Sequence, residues 1–351
     1  MAFNVIDLHC DSVFSIMAGK DLRKHVEGVH VDLPRLRKGR VALQVFAAYV
    51  PPETAGNEAF RYALERLDAI ETFARSDDLL AQIETAAELR EILKSERTGV
   101  MAAVENGLTI ENSLENLEHL RRRKVRIMTL VHSQHLPWIA SCSGTVCPDV
   151  EFDTEAGLSR FGERVVDAMN DLGIIPDVSH SSESAFWSVI KRSKKPIIAS
   201  HSCAHSLCAA PRNLKDDQLK ALKDSGGLVG VNFNACFLSE PYRLKFNEMI
   251  KKDPLLFEKM MMGKQVPPTQ TGVSVPSTLI ADHIDYMVRT AGEDCVALGS
   301  DFDGIPATPE GVTGSDFFPV LEEELISRGY SENRIEKIFS ANFLRVLEAW
   351  G

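Results

Sequence analysis

A chain of 351 residues, 44% hydrophobic and 25% charged, has ordinary globular composition and can bury one large core. Its formal net charge of −11 excludes a basic nucleic-acid-binding face and attraction to an anionic membrane, leaving small molecules or further copies of the chain as partners. No stretch approaches the ~18 unbroken apolar residues of a membrane span.

The opening MAFNVIDLHC has neither a basic leader region nor an apolar run of signal-peptide length, and LRVLEAWG at the other end offers no lipid-anchor tail. The seven cysteines, at 10, 142, 147, 203, 208, 236 and 295, form no CxxC pair and are odd in number. Reduced thiols in a cytoplasmic protein are the expectation.

In chain order, short apolar runs at 5–8, 41–49, 99–104, 127–131, 174–178, 197–200, 228–233 and 296–299 read as strands. Amphipathic stretches at 57–75, 113–123, 156–172, 182–192, 215–225 and 277–291 read as helices between them, with Ser113 as a start signal and Gly173 as a stop. Strands apolar throughout and separated by helices imply a parallel sheet covered on both faces, and eight such strands close a (β/α)8 barrel. The whole chain, 1–351, is expected to be that one domain. Residues 50–98 should add about two helices, and 315–351 should form closing helices around Asn342. Residues 234–276 are an insertion carrying FEKMMMGKQVPPTQTG, whose methionines suit packing at a subunit contact or lid.

The strand ends carry the chemistry. His9 and Asp11, two apart, share a face of the first strand. Glu105 ends the third run in AAVENG, His132 the fourth in MTLVHS, His180 the fifth in PDVSH, His201 the sixth in IIASH and Asp301 the eighth in ALGSDFDG. In a barrel all these ends face one mouth, where loops assemble active sites. Any one histidine there is as readily a satisfied structural side chain. Seven metal-competent groups on one rim are hard to obtain by accident, and without a cation they would be costly.

Other residues are weighed separately. His25, His30 and His119 read as solvated, His135 as no ligand, His205 as a pocket-loop residue, and His283 as partly buried in its helix. Arg212 sits in the loop after the sixth strand, in CAAPRNLKDDQL. It is either paired with Asp216 or Asp217 or free to clamp a substrate carboxylate. Tyr49 ends the second strand and either packs at the rim or lines the mouth.

These motifs together resemble the membrane dipeptidase (renal dipeptidase) family of zinc peptidases, over nearly the whole chain. DLHCDS, VENG, LVHSQHLPW, DVSH, IIASHSCAHSLCAAPRNLKDDQL and VALGSDFDG carry the resemblance. It implies a distorted (β/α)8 barrel, usually a homodimer, with two zinc ions per chain. His9 and Asp11 would bind one zinc, His180 and His201 the other, and Glu105 would bridge them. His132 would steady the tetrahedral intermediate, Arg212 would hold the substrate carboxylate, and Asp301 would shuttle the proton. Two departures stand out. The second strand reads QVFAAY where the family often carries Trp, and Gln134 stands where the animal enzymes have a cysteine.

The implied reaction is hydrolysis of free dipeptides, L-Xaa-L-Xaa and L-Xaa-D-Xaa, by a metal-bridging hydroxide. Two cations roughly 3.5 Å apart acidify a bridging water, and a Glu with two oxygens can span them. The alternatives are a related amidohydrolase-type barrel acting on another amide, cyclic amide or ester, a non-catalytic metal-binding homologue, and a nucleic-acid hydrolase. The HxD opening and Glu105 weigh against the first, the intact ring of ligands against the second, and the acidic charge against the third.

Overall fold

A parallel sheet curls until its edges meet. In the computed structural model, which describes residues 3–54, 58–143, 154–253 and 271–351, nine strands form it. They are β1 (Val5–Cys10), β2 (Val41–Tyr49), β3 (Leu80–Gln82), β4 (Thr98–Glu105), β5 (Ile127–Thr129), β6 (Ile175–Asp177), β7 (Ile198–Ser202), β8 (Leu228–Val231) and β9 (Val296–Leu298). β2 pairs with both β1 and β4, closing a barrel of eight parallel strands. The expected (β/α)8 architecture is what the chain adopts.

β3 is the strand the sequence does not announce. Three residues are too short to show a period. It shares one edge of β4 with β5, taking Thr98–Val100 while β5 takes Ala103–Glu105. The rest of the 50–98 segment is helical at Ala59–Ala74 and Ala86–Leu93.

The helices fall within a few residues of their expected bounds. Ala59–Ala74, Leu114–Arg122, Arg160–Leu172, Glu183–Arg192, Asp216–Asp224 and Thr278–Ala291 each follow a barrel strand. The Ser113 hydroxyl accepts the Asn116 N–H at 3.3 Å, capping one N-terminus. Gly173 ends another helix at φ +75°, a left-handed turn that glycine adopts without strain. Helices at Phe318–Ser327 and Asn342–Trp350 close the chain. Of the 234–276 insertion, Ala235–Leu238 and Glu240–Lys252 are helical. Met260, Met261 and Met262 lie outside the described residues, as does Cys147. The six described cysteines are unpaired. Among the described residues, no helix is long and apolar enough to cross a membrane.

The barrel interior is filled rather than hollow. Ile6, Leu43, Met101, Ile127, Ile175, Ile198, Leu228 and Ala297, drawn from the eight barrel strands, pack with Phe343, Val346, Leu347 and Trp350 of the last helix. A larger cluster joins the outward side chains of the strands to the helices. Burial on both faces is why every residue of β2 and β4 is buried and apolar runs replace alternation.

Two irregularities aim the functional side chains. On β7, Ala199 pairs with Val229 and Ser202 with Val231, so β7 has one residue more than β8 between those pairs. On β1 the same happens between Asp7 and Cys10 against Gln44 and Phe46. Such a bulge breaks strict alternation. Neighbouring side chains, Ser200 with His201 and Leu8 with His9, therefore need not face opposite ways. The bulge also turns the Ser200 carbonyl towards Gly230 and Gly299, where an added Cβ would lie 2.1 Å and 1.8 Å from its oxygen. Gly299→Ala should cost about 3 kcal/mol, since the obstacle is backbone rather than a movable side chain. A urea titration should show a lower midpoint with unchanged slope.

Candidate metal centre

The seven strand-end side chains meet at the mouth of the barrel. His9 Nε2 lies 3.5 Å from Asp11 Oδ2, 3.5 Å from Glu105 Oε2 and 3.9 Å from Asp301 Oδ1. On the other side, Glu105 Oε1 lies 3.2 Å from His180 Nε2, 3.5 Å from His201 Nε2 and 3.8 Å from His132 Nε2. Glu105 thus turns one oxygen to each half. The groups His9–Glu105–His201, Glu105–His132–His180 and His9–Asp11–Asp301 each place ligand atoms within 4.8 Å of one another.

Donor chemistry decides whether cations fit here. His180 and His201 bring their Nε2 atoms to 3.1 Å. Burial, reinforced by the Arg212 guanidinium, holds both rings well below the usual histidine range, so both are neutral. Burial likewise takes His132 down to about 3, with Arg212 adding to the effect. His9 Nε2 and Asp11 Oδ1 are buried without a hydrogen-bond partner. Burial opposes a proton on His9, but Glu105 and Asp11 outweigh it and raise its pKa well above normal. Burial raises Asp11, and pushes Asp301 up to about 8 with Asp11 and Glu105 adding repulsion. Bare imidazole nitrogens and crowded carboxylates are the donors that divalent zinc takes. The residues fit a divalent cation.

The surrounding chain shapes this space. Asp301 stands at φ +63°, its N–H bonded to the His9 carbonyl at 3.1 Å. Asn232 Nδ2 donates to its Oδ2 at 2.8 Å, leaving Oδ1 towards His9. Gly304 is required by space: a Cβ there would meet Asp11 Oδ2 at 2.0 Å and Asp301 Oδ1 at 2.7 Å. Tyr49 stands edge-on to His132, ring centres 4.7 Å apart, its buried hydroxyl unpartnered.

Arg212 comes to the site by its own route. It donates to the His201 carbonyl at 3.1 Å and to Ser202 Oγ at 3.4 Å, and stacks over Phe237. Its Nε is buried without a partner. Neither Asp216 nor Asp217 pairs with it: Asp216 accepts from Tyr286 and Ser206, and Asp217 from the Gln218 N–H. Among the described residues no carboxylate lies within ion-pair distance of Arg212. A cavity of about 260 Å³, lined by His180, His205, Arg212 and Lys215 among others, opens beside it.

Two histidines differ from expectation. His30, read as solvated, is buried, its Nδ1 accepting the Asp303 N–H at 2.9 Å. Asp303 also accepts from Ser12 Oγ and the His30 N–H, tying the turns beside Asp11 and Asp301 together. His283 is fully buried, bonded to the Ala204 N–H and facing the Leu238 carbonyl. His25 and His119 are exposed as expected, and His135 is held by the Ser141 N–H. Sequence reasoning missed Asn232, Asp303 and Gly304. The DFDG stretch signalled the last two, and nothing in the sequence marks Asn232.

Comparison with known proteins agrees with the geometry. The family model described as "Membrane dipeptidase (Peptidase family M19)" matches residues 1–350. Mouse (Mus musculus) Dipeptidase 3 is 30% identical over 326 residues, covering 93% of this chain and 59% of its own length. The chain therefore spans under two thirds of that relative. Dipeptidase verJ of Clonostachys rogersoniana is 31% identical over 337 residues, covering 93% of this chain and 77% of its own. A crystal structure of "dipeptidase AC", a metallo peptidase of family M19, superposes with a TM-score of 0.83 at 26% identity over 100% of both chains.

Binding to the folded state alone must raise stability. Zinc added to chelator-stripped protein should raise the thermal midpoint, each site adding ~2.7 kcal/mol of stability at a hundredfold excess over Kd. Glu105→Gln should lose most of that gain, because Glu105 serves both halves.

Proposed function

Since this chain belongs to the membrane dipeptidase family, peptidase family M19, we propose that it hydrolyses the peptide bond of free dipeptides at a binuclear zinc centre. His9 and Asp11 would hold one ion, His180 and His201 the other, with Glu105 between them. One observation carries the reading: a two-sided metal-competent cluster stands beside a guanidinium that, among the described residues, no carboxylate pairs with.

Zinc bound there supplies positive charge that polarises a carbonyl and acidifies water near neutral pH. The protein's own groups do the rest. Arg212 offers a charge-assisted contact to a carboxylate. It also bonds to the carbonyl of His201, so the bound carboxylate must sit within a residue's length of the metals. That spacing favours a substrate whose C-terminus follows the scissile bond directly, which is a dipeptide. His132 is neutral, and a neutral imidazole can donate one N–H to the oxyanion as it develops. Tyr49 forms the wall behind that ring. Asp301, anchored through Oδ2 by Asn232, presents Oδ1 to accept the proton of the attacking water and return it to the leaving amine.

The decisive assay sets free dipeptides, with L- and D-residues in second position, against the same dipeptides as C-terminal amides. Arg212→Ala should lower kcat/KM strongly for the free acids and erase their advantage over the amides. Asp301→Ala should cut kcat by ~10² or more while both zinc ions stay bound. Equal activity of unaltered protein on acids and amides would defeat the dipeptide reading.

A further inference from the structure

Two buried aspartates grip the strands beneath the metal centre in the same way. Asp177 on β6 accepts the Ser200 N–H at 2.8 Å through Oδ1 and the Ser200 hydroxyl at 2.6 Å through Oδ2. Asp7 on β1 accepts the Ser300 N–H at 2.7 Å through Oδ1 and the Ser300 hydroxyl at 2.6 Å through Oδ2. Each serine directly precedes a site residue, His201 in one case and Asp301 in the other. All four residues of these two clamps are completely buried.

The clamps differ in what the serine does next. Ser300 Oγ turns only to backbone, accepting the Phe302 N–H at 3.2 Å and reaching the His9 carbonyl at 3.4 Å. Ser200 Oγ lies 2.7 Å from His201 Nδ1. A hydroxyl has one proton to give, and Ser200 gives it to Asp177. Asp177 also receives the Ser179 N–H and the Thr129 hydroxyl. Four donors converge on it, so it has no proton to return. Ser200 Oγ must therefore accept from His201, which fixes the proton on Nδ1 and leaves the Nε2 lone pair facing Glu105 and His180.

We propose that Asp177, acting through Ser200, is a positioning residue that locks His201 in its Nδ1–H tautomer and so selects Nε2 as the metal-binding nitrogen. The Asp7–Ser300 clamp, of equal geometry, sets only the backbone from which Asp301 rises. An outer hydrogen bond that fixes ring orientation and tautomer is worth about 10- to 100-fold in metal affinity. The β7 bulge makes the relay available, since strict alternation would turn the Ser200 and His201 side chains apart. This inference rests on the metal-centre reading above, and its test separates the two.

Zinc affinity is measured by competition with a chromophoric chelator on the unaltered protein and on three variants. Ser200→Ala should weaken one zinc by about 10- to 100-fold and leave the other unchanged. Ser200→Thr, which keeps the hydroxyl, should restore it, and Ser300→Ala should keep both affinities. The cobalt(II)-loaded Ser200→Ala protein should show an altered visible spectrum. Should Ser200→Ala not fold, ¹⁵N-histidine NMR of the unaltered zinc-loaded protein reads the tautomer directly, with Nδ1 protonated expected at His201. Unchanged affinities in Ser200→Ala, an equal loss in Ser300→Ala, or a proton on Nε2 would overturn the relay while leaving the metal centre standing. Fewer than two zinc ions on the unaltered protein would overturn the metal-centre reading and the relay with it.

Discussion

Three carboxylates and four imidazoles occupy one nearly dry barrel mouth, and burying unpaired charge is among the most expensive things a fold can do. Glu105 is where that cost is managed. Its two oxygens lie within 3.5 Å of His9 on one side and 3.2 Å of His180 on the other, so each half of the cluster shares its charge. Burial, with repulsion from neighbouring carboxylates added to it, raises both Asp11 and Asp301, while burial holds the imidazoles on the other side well below the usual histidine range. The cluster as a whole asks for positive charge, and the two sides ask from different directions. Arg212 lowers the neighbouring histidines and, among the described residues, pairs with no carboxylate.

The backbone is bent to meet this requirement. A barrel strand presents alternate residues to the inside, which allows one side chain per two positions. At β1 and β7 the chain inserts an extra residue and so delivers His9 and His201 where alternation alone would not. The bulge on β7 displaces a carbonyl, and Gly230 on β8 and Gly299 just after β9 make room for it. Gly304 makes room for two carboxylates in the same way. Space, not backbone flexibility, explains these three glycines.

A second layer holds the first. Asp7, Asp177 and Asp303 are each surrounded by donors, Asp303 with the His30 ring beside it. Each ties together separate elements: β1 with the turn after β9, β6 with β7, and the His30 loop with the turns beside Asp11 and Asp301. These buried polar networks tie the elements around the mouth to one another.

The sequence by itself determined the barrel strands, the helices between them and the set of side chains at the strand ends. It could do so because a parallel strand buried on both faces must be apolar from end to end, as Val41–Tyr49 is. A polar residue that ends such a run then stands out, as His180 and Asp301 do. It left the short strand Leu80–Gln82 and the burial of His30 unread, since neither three residues nor one histidine carries a period. Only the tertiary structure decided that Glu105 divides its oxygens between two sides, that Arg212 escapes Asp216 and Asp217, and that Ser200 stands between Asp177 and His201. Those facts depend on distances across neighbouring strands and on bulges whose register no single strand records. The physical reason is plain: sequence periodicity encodes which face a residue takes, and chemistry at a site depends on which residues of other strands it meets there.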